Sequence, residues 1–168
     1  MKFFSNNILL INLIRIRWLA IGGQLAAIVI VFFYLKIPIP IFECLGIIFV
    51  SSIINTYSFF NKKIKNYLTD KEAFYFLLFD TLQLGVLVYL TGGIYNPFSL
   101  LLIAPLIISA SYLPISYSLI LLFLSISAVV FLSNYYFPIL WGESFFVPSF
   151  FTYGLTLSLI ISLIFIFI

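Results

Sequence analysis

Long apolar runs, each separated from the next by only a few polar residues, fill most of this 168-residue sequence. Hydrophobic residues make up 64% of the chain and charged residues only 8%, and the mean hydropathy is +1.27. Such a composition is typical of membrane proteins, in which about 20 apolar residues cross the bilayer as one helix. We therefore predict an all-α polytopic membrane protein with one transmembrane domain over residues 1–168.

Prolines, glycines and charged residues divide the apolar runs into six predicted transmembrane helices. We predict spans over about residues 18–35, 40–60, 70–91, 97–113, 118–137 and 148–168. Residues 1–17 are predicted to lie in the membrane interface, and residues 115–117 to form a minimal turn. Thr69 and Glu72 have the spacing of a capping box, so the third helix should begin near Asp70. Pro105 should kink the fourth span.

Basic residues lie almost entirely on one side of this arrangement. On that side are Lys2, Arg15, Arg17, Lys62, Lys63, Lys65 and Lys71, and on the other is Lys36. Because short cytoplasmic loops are enriched in Lys and Arg, we predict that both termini are cytoplasmic. The hairpin between spans three and four then lies on the outer face. The net charge of +3 follows from this bias and indicates no nucleic-acid partner.

The residue inventory excludes several kinds of chemistry. The chain has no histidine, so histidine acid–base catalysis, histidine metal sites and a phospho-accepting histidine are excluded within it. Its one cysteine, Cys44, cannot form an intrachain disulfide and is expected to be a small buried apolar side chain. We therefore predict no catalytic residue and no metal site.

Asp80 lies roughly halfway along the third span, where an ionisable group costs several kcal/mol unless it finds partners. Gln83 and Thr91 share its helix face, which should therefore point into the bundle. Asp80 and Gln83 could form structural interhelical hydrogen bonds or couple a ligand to the rest of the protein, and the sequence leaves both open. Gln24, in the first span, is more typical of a hydrogen bond to a neighbouring helix than of a ligand contact.

The stretch Gly-Gly-Ile-Tyr-Asn-Pro-Phe at residues 92–98 joins spans three and four. Glycine can end a helix in a left-handed conformation, Asn96 can cap the next helix, and Pro97 suits its first position. This pattern predicts a tight helical hairpin.

The same stretch has the groups that a flat, carbonyl-bearing ligand requires. Gly92 and Gly93 offer bare backbone, and Tyr95 and Phe98 offer aromatic rings that can stack on a ligand. Asn96 is expected to use its side-chain oxygen as a helix cap, which would leave its NH2 group free to donate to a ring carbonyl.

Three blocks of sequence occur in a distinctive order, at residues 17–24, 80–84 and 92–98. They are Arg-Trp-Leu-Ala-Ile-Gly-Gly-Gln, Asp-Thr-Leu-Gln-Leu and Gly-Gly-Ile-Tyr-Asn-Pro-Phe. Together they resemble the membrane domain of the RegB/PrrB redox-responsive sensor histidine kinases, over essentially the whole chain. The resemblance implies a two-component sensory module in the bacterial inner membrane that responds to redox state through ubiquinone. It assigns Gly92, Gly93, Asn96, Pro97 and Phe98 to the quinone site.

In that family the phosphorylated histidine, the ATP-binding lobe and a redox cysteine lie in a cytoplasmic half. Cys44 does not match that cysteine. We therefore expect the catalytic and phospho-acceptor domains to lie outside this chain, whose own enzymatic activity stays undecided. The expected partners are lipid, quinone, a second copy in a homodimer, and a kinase module or response regulator reached through the C-terminal region.

Two other functions fit parts of the sequence. Six spans, Pro105 and a mid-membrane Asp80 would suit a small-solute transporter or its membrane substrate-binding subunit, although we find no internal repeat. A structural or assembly subunit of a respiratory complex is the third candidate, and the lack of histidine argues against haem ligation in it.

Overall fold

A computed structural model describes residues 10–61, 67–138 and 149–167, and every regular element in these ranges is a helix. The helices are α1 (Leu10–Val29, continued by a π-helical turn at Ile30–Tyr34), α2 (Ile41–Asn61), α3 (Asp70–Leu90), α4 (Ala104–Tyr112, preceded by a 3-10 segment at Pro97–Ile103), α5 (Ile115–Asn134) and α6 (Ser149–Phe167).

Within these ranges, four helices are long and apolar enough to cross a membrane. They cover Leu10–Tyr34, Ile41–Phe60, Asp70–Leu90 and Ile115–Asn134, and two shorter apolar helices cover Pro97–Tyr112 and Phe151–Phe167. The prediction of an all-α membrane protein is therefore confirmed, whereas six spans and their orientation stay predictions. Four of the basic residues behind the orientation (Lys2, Lys62, Lys63 and Lys65) lie outside the described residues.

Local sequence signals account for several helix boundaries. The capping box is present, since the Thr69 N–H donates to Glu72 Oε2 at 2.8 Å and the Glu72 N–H donates to Thr69 Oγ1 at 3.4 Å. The irregularity expected at Pro105 takes the form of a change from 3-10 to α-helix at Ala104. Proline has no N–H, and Pro105 therefore occupies the first turn of an α-helix, where none is required.

Two predicted boundaries are wrong. The turn predicted over residues 115–117 is helical, because the carbonyl of Pro114 accepts from the N–H groups of both Tyr117 and Ser118 and starts α5 directly. The first helix includes residues 10–17, which were predicted to precede the span. Arg17 does not need to stay outside the bundle, because it finds a carboxylate partner within it.

The helices pack in two apolar clusters. The larger one joins the start of α1 to α3, α4, α5 and α6 and includes Leu13, Leu77 and Leu121. The smaller one joins the second half of α1 to α2 and α3 and includes the fully buried Cys44, as expected. α1 packs closely on α2, whereas it reaches α3 mainly through long side chains. Space for a cavity therefore remains between α1 and α3.

Candidate functional site

The hairpin at residues 92–98 has the tight geometry that the sequence predicts. Gly92 and Gly93 have φ angles of 99° and 61°, in the left-handed region that glycine favours. A single 3-10 turn over Gly93–Tyr95 follows, and Asn96 then caps the 3-10 segment that begins at Pro97. The Phe98 N–H donates to Asn96 Oδ1 at 2.9 Å. The hairpin therefore holds Asn96 and Phe98 in fixed positions.

Both glycines are buried by the protein itself. A Cβ atom at Gly93 would lie 2.6 Å from the carbonyl oxygen of Leu132 and 2.6 Å from Tyr136 Cβ. Gly93 is thus explained by its close packing against the end of α5. Contact of a ligand with either glycine stays a prediction.

Tyr95 faces α6 and the segment after α5. Its hydroxyl shares a hydrogen bond with Thr152 Oγ1, and its ring meets that of Tyr136 edge to face with centroids 5.4 Å apart. Burial, and then the neighbouring Tyr95, raise the pKa of the Tyr136 phenol, so Tyr136 stays uncharged at neutral pH. Tyr95 is therefore on the packed side of the hairpin, and its role as a ligand platform stays a prediction.

A cavity of about 190 Å³ lies on the other side of the hairpin, between α1 with its π-helical turn, α3 and the 3-10 segment. Asn96, Pro97 and Phe98 line it together with Thr91. Its other walls are almost entirely apolar and include Ile28, Val31, Leu87 and Leu101. Three of the six residues predicted to bind a ligand therefore border one cavity, and the side chain of Phe98 is 43% exposed.

The Asn96 amide is less available than expected. Its Nδ2 group donates to Thr91 Oγ1, which itself donates to the backbone carbonyl of Leu87 at 2.6 Å. The prediction of a free NH2 group is wrong, because Thr91 ends α3 within reach of the Asn96 side chain. An amide has two N–H donors, and Thr91 takes one of them.

Gln24 borders the same cavity from α1. Gln83 Nε2 donates to Gln24 Oε1 at 2.8 Å, and Ser51 Oγ donates to Gln83 Oε1 at 3.3 Å. The predicted hydrogen bond between Gln24 and a neighbouring helix is confirmed, and together with the bond from Ser51 it joins α1, α2 and α3.

Asp80 faces the bundle, as predicted. Arg17 Nε donates to Asp80 Oδ1 at 3.0 Å, and the two side chains are 4% and 17% exposed. The Arg17 guanidinium carbon also lies 5.1 Å from the ring centroid of Phe76 and 5.5 Å from that of Phe79, within range of cation–π attraction. The pair lies beside a second, smaller cavity that Gln24 also borders.

Arg17 is the main residue of this site that the sequence pattern does not indicate. Its place among the basic residues predicts a cytoplasmic flank, although it lies seven residues before Gln24 and therefore on the same helix face. Asp80 and Gln83 likewise share one face of α3. Two polar residues of α1 therefore meet two polar residues of α3. In the described ranges, no group of three or more Cys, Asp or Glu side chains could hold a metal ion.

Two curated relatives match the chain. The sensor histidine kinase RegB of Cereibacter sphaeroides is 37% identical over 156 residues, which are 92% of this chain and 34% of that protein. A RegB from a named strain of the same species is 39% identical over 74 residues, which are 44% of this chain and 16% of the relative. The chain thus spans about a third of the first relative's length. No family model and no solved structure matches.

Proposed function

We propose that this chain, whose predicted resemblance to the RegB sensor kinases is confirmed, is the membrane sensory module of a two-component histidine kinase that responds to redox state. We further propose that ubiquinone binds in the cavity between α1, α3 and the 3-10 segment. The observation that supports this most is that Asn96, Pro97 and Phe98, predicted as ligand residues from sequence, border one largely apolar cavity.

The cavity has the chemistry that a quinone headgroup needs. Ligand pockets are mostly apolar with a few placed polar groups, and here Thr91, Asn96 and Gln24 are the polar groups. Phe98 can stack on the ring, which contributes about 0.5–1.5 kcal/mol beyond burial. The second N–H of Asn96 can donate to one ring carbonyl, and the isoprenoid tail then extends into lipid.

A route for the signal starts at this cavity. Gln24 hydrogen-bonds to Gln83, which lies one helical turn from the Arg17–Asp80 pair. We propose that six spans place both termini in the cytoplasm of a bacterial cell and the cavity near the outer face of its inner membrane. Ligand binding would change the contact between α1 and α3, and a homodimer would pass that change to a kinase module and its response regulator.

A quinone-binding titration of the purified, folded protein tests this proposal. Phe98→Leu removes the stacking ring and should weaken binding by about two- to tenfold. Asn96→Asp still caps the helix but loses the amide donor, so it should weaken binding as well. Phe42→Leu, at a position 84% exposed on α2, is the matched control and should bind like wild type. Equal affinity in all four proteins, or no binding by wild type, would refute the proposal.

A further inference from the structure

Two glutamines and a serine form a hydrogen-bonded chain that ends at the cavity. Gln24 comes from α1, Gln83 from α3 and Ser51 from α2, and all three side chains are more than nine-tenths buried. We call this chain of hydrogen bonds, from Ser51 through Gln83 to Gln24, the amide relay.

One end of the amide relay is open toward the cavity. Gln24 Oε1 accepts from Gln83, but within residues 10–61, 67–138 and 149–167 no group accepts from Gln24 Nε2. An amide N–H that meets no acceptor in an apolar surrounding costs free energy. Because Gln24 borders the cavity, a ligand carbonyl there could accept from it.

Every member of the amide relay can both donate and accept a hydrogen bond. If both amides turn by 180°, Gln24 Nε2 donates to Gln83 Oε1, and Gln83 Nε2 donates to Ser51 Oγ. Ser51 can then donate to the backbone carbonyl four residues earlier, as Ser52 does to Ile48 at 2.9 Å. After this reversal Gln24 presents its oxygen to the cavity, where it accepts from a ligand instead of donating.

We propose that the amide relay distinguishes the oxidised from the reduced ligand, an inference that rests on the proposed quinone site. A quinone carbonyl only accepts a hydrogen bond, so it selects the orientation in which Gln24 donates. The corresponding quinol oxygen carries a hydrogen, so it can donate and selects the reversed orientation. The relay transfers no proton or electron, and it responds to a reduction carried out elsewhere in the membrane.

The spacing along α3 of the two residues that bond to Gln24 and Asn96 is compatible with a ring held at both ends. Gln83 and Thr91 lie eight residues apart on α3, which is about 12 Å of helix. The two opposite oxygens of a benzoquinone lie about 5 Å apart by ordinary bond lengths, and a hydrogen bond of about 2.9 Å at each end extends this to about 11 Å. A headgroup can therefore contact Asn96 with one oxygen and Gln24 with the other.

Reversal would also change the direction of the hydrogen bonds between the helices. In one orientation Ser51 donates to Gln83, and in the other Gln83 donates to Ser51, whose own hydrogen returns to the carbonyl four residues earlier. The direction of the hydrogen bonds among three helices thus depends on one oxygen atom of the ligand. The oxidation state of the ligand would thus act on Gln83, which lies one helical turn from the Arg17–Asp80 pair.

The sequence allows a selective test, because Gln24 and Gln83 are its only two glutamines. Labelling of glutamine with 15N at the side-chain amide gives two NH2 signals, which Gln24→Met and Gln83→Met assign. A short-tailed ubiquinone analogue and its quinol should shift both NH2 signals to different positions, since the partner of each amide differs between the two orientations.

A binding comparison adds a second measurement. Ser51→Ala removes the acceptor that Gln83 Nε2 needs in the reversed relay, and an unpaired buried N–H is tolerated less well than an unpaired carbonyl. Quinol affinity should therefore fall by about threefold or more relative to quinone affinity. Ser125→Ala, which also removes a fully buried serine hydroxyl, is the matched control and should leave the ratio unchanged.

The outcomes separate this inference from the proposed function. If both ligand forms bind and Phe98→Leu weakens them, but the glutamine signals are the same with either form, the amide relay is refuted and the quinone site stands. An affinity ratio that Ser51→Ala leaves unchanged refutes the relay as well. If folded wild-type protein binds neither form, the quinone site and the relay both fail.

Discussion

Replacing Arg17 by methionine should destabilise the protein because it leaves Asp80 buried without its partner. Removing one member of a buried ion pair costs about 3–5 kcal/mol. Asp80 is 17% exposed and bonded through a single 3.0 Å contact, so we expect the lower end, about 3 kcal/mol. Asp80→Leu should cost at least as much, because two Arg17 nitrogens are already buried without partners among the described residues. Asp80→Asn should be milder, since the amide retains a hydrogen-bonding oxygen.

The double variant Arg17→Met with Asp80→Leu provides the decisive comparison. Replacing both charges with apolar side chains of similar size is often close to neutral, so its stability should return to within about 1 kcal/mol of wild type. The assay is reversible unfolding in mixed micelles, followed by circular dichroism. Arg15→Met serves as the control, because Arg15 is exposed and is not part of this pair. It should change stability by less than about 0.5 kcal/mol. Additive losses in the double variant would refute the buried pair.

Other predictions concern the hairpin and the orientation. Gly93→Ala should cost about 1–3 kcal/mol in thermal unfolding, because its φ of 61° is strained for alanine and the end of α5 is too close, whereas Gly46→Ala has open space and should not destabilise. Tyr95→Phe should lose about 1 kcal/mol of stability with the hydrogen bond to α6, and an unchanged unfolding midpoint would contradict that contact. Reporter fusions after Lys65 and after Glu143 should report the cytoplasmic and the outer side, respectively, and two fusions on one side would refute six spans.

The sequence predicts most helices because their ends carry strong local signals. The capping box at Thr69 and the apolar run after Pro40 give boundaries close to those of α3 and α2. Asp80 is correctly predicted to face the bundle, because no other placement suits a carboxyl at that depth.

Long-range contacts explain what the sequence could not predict. The sequence predicts Arg17 at the membrane surface, because its partner lies 63 residues further along the chain and no local pattern connects the two. The Gly-Gly pair in the sequence predicts the turn at Gly93. Which side of this turn packs on α5 depends on Leu132 and Tyr136, which are far away in sequence. Likewise, the cavity is bordered by Gln24 of α1, so its position follows from helix packing and not from the hairpin motif alone.

The location of the ligand can be measured directly with a photoreactive ubiquinone analogue. The protein is irradiated with the analogue in a bilayer, and labelled peptides are identified by mass spectrometry. We predict labels on α1 near Ala27 and Ile28 and on the 3-10 segment near Phe98, both reduced by excess ubiquinone. Labels confined to outward-facing residues such as Phe42 and Phe49, with no competition by ubiquinone, would contradict a quinone site in this cavity.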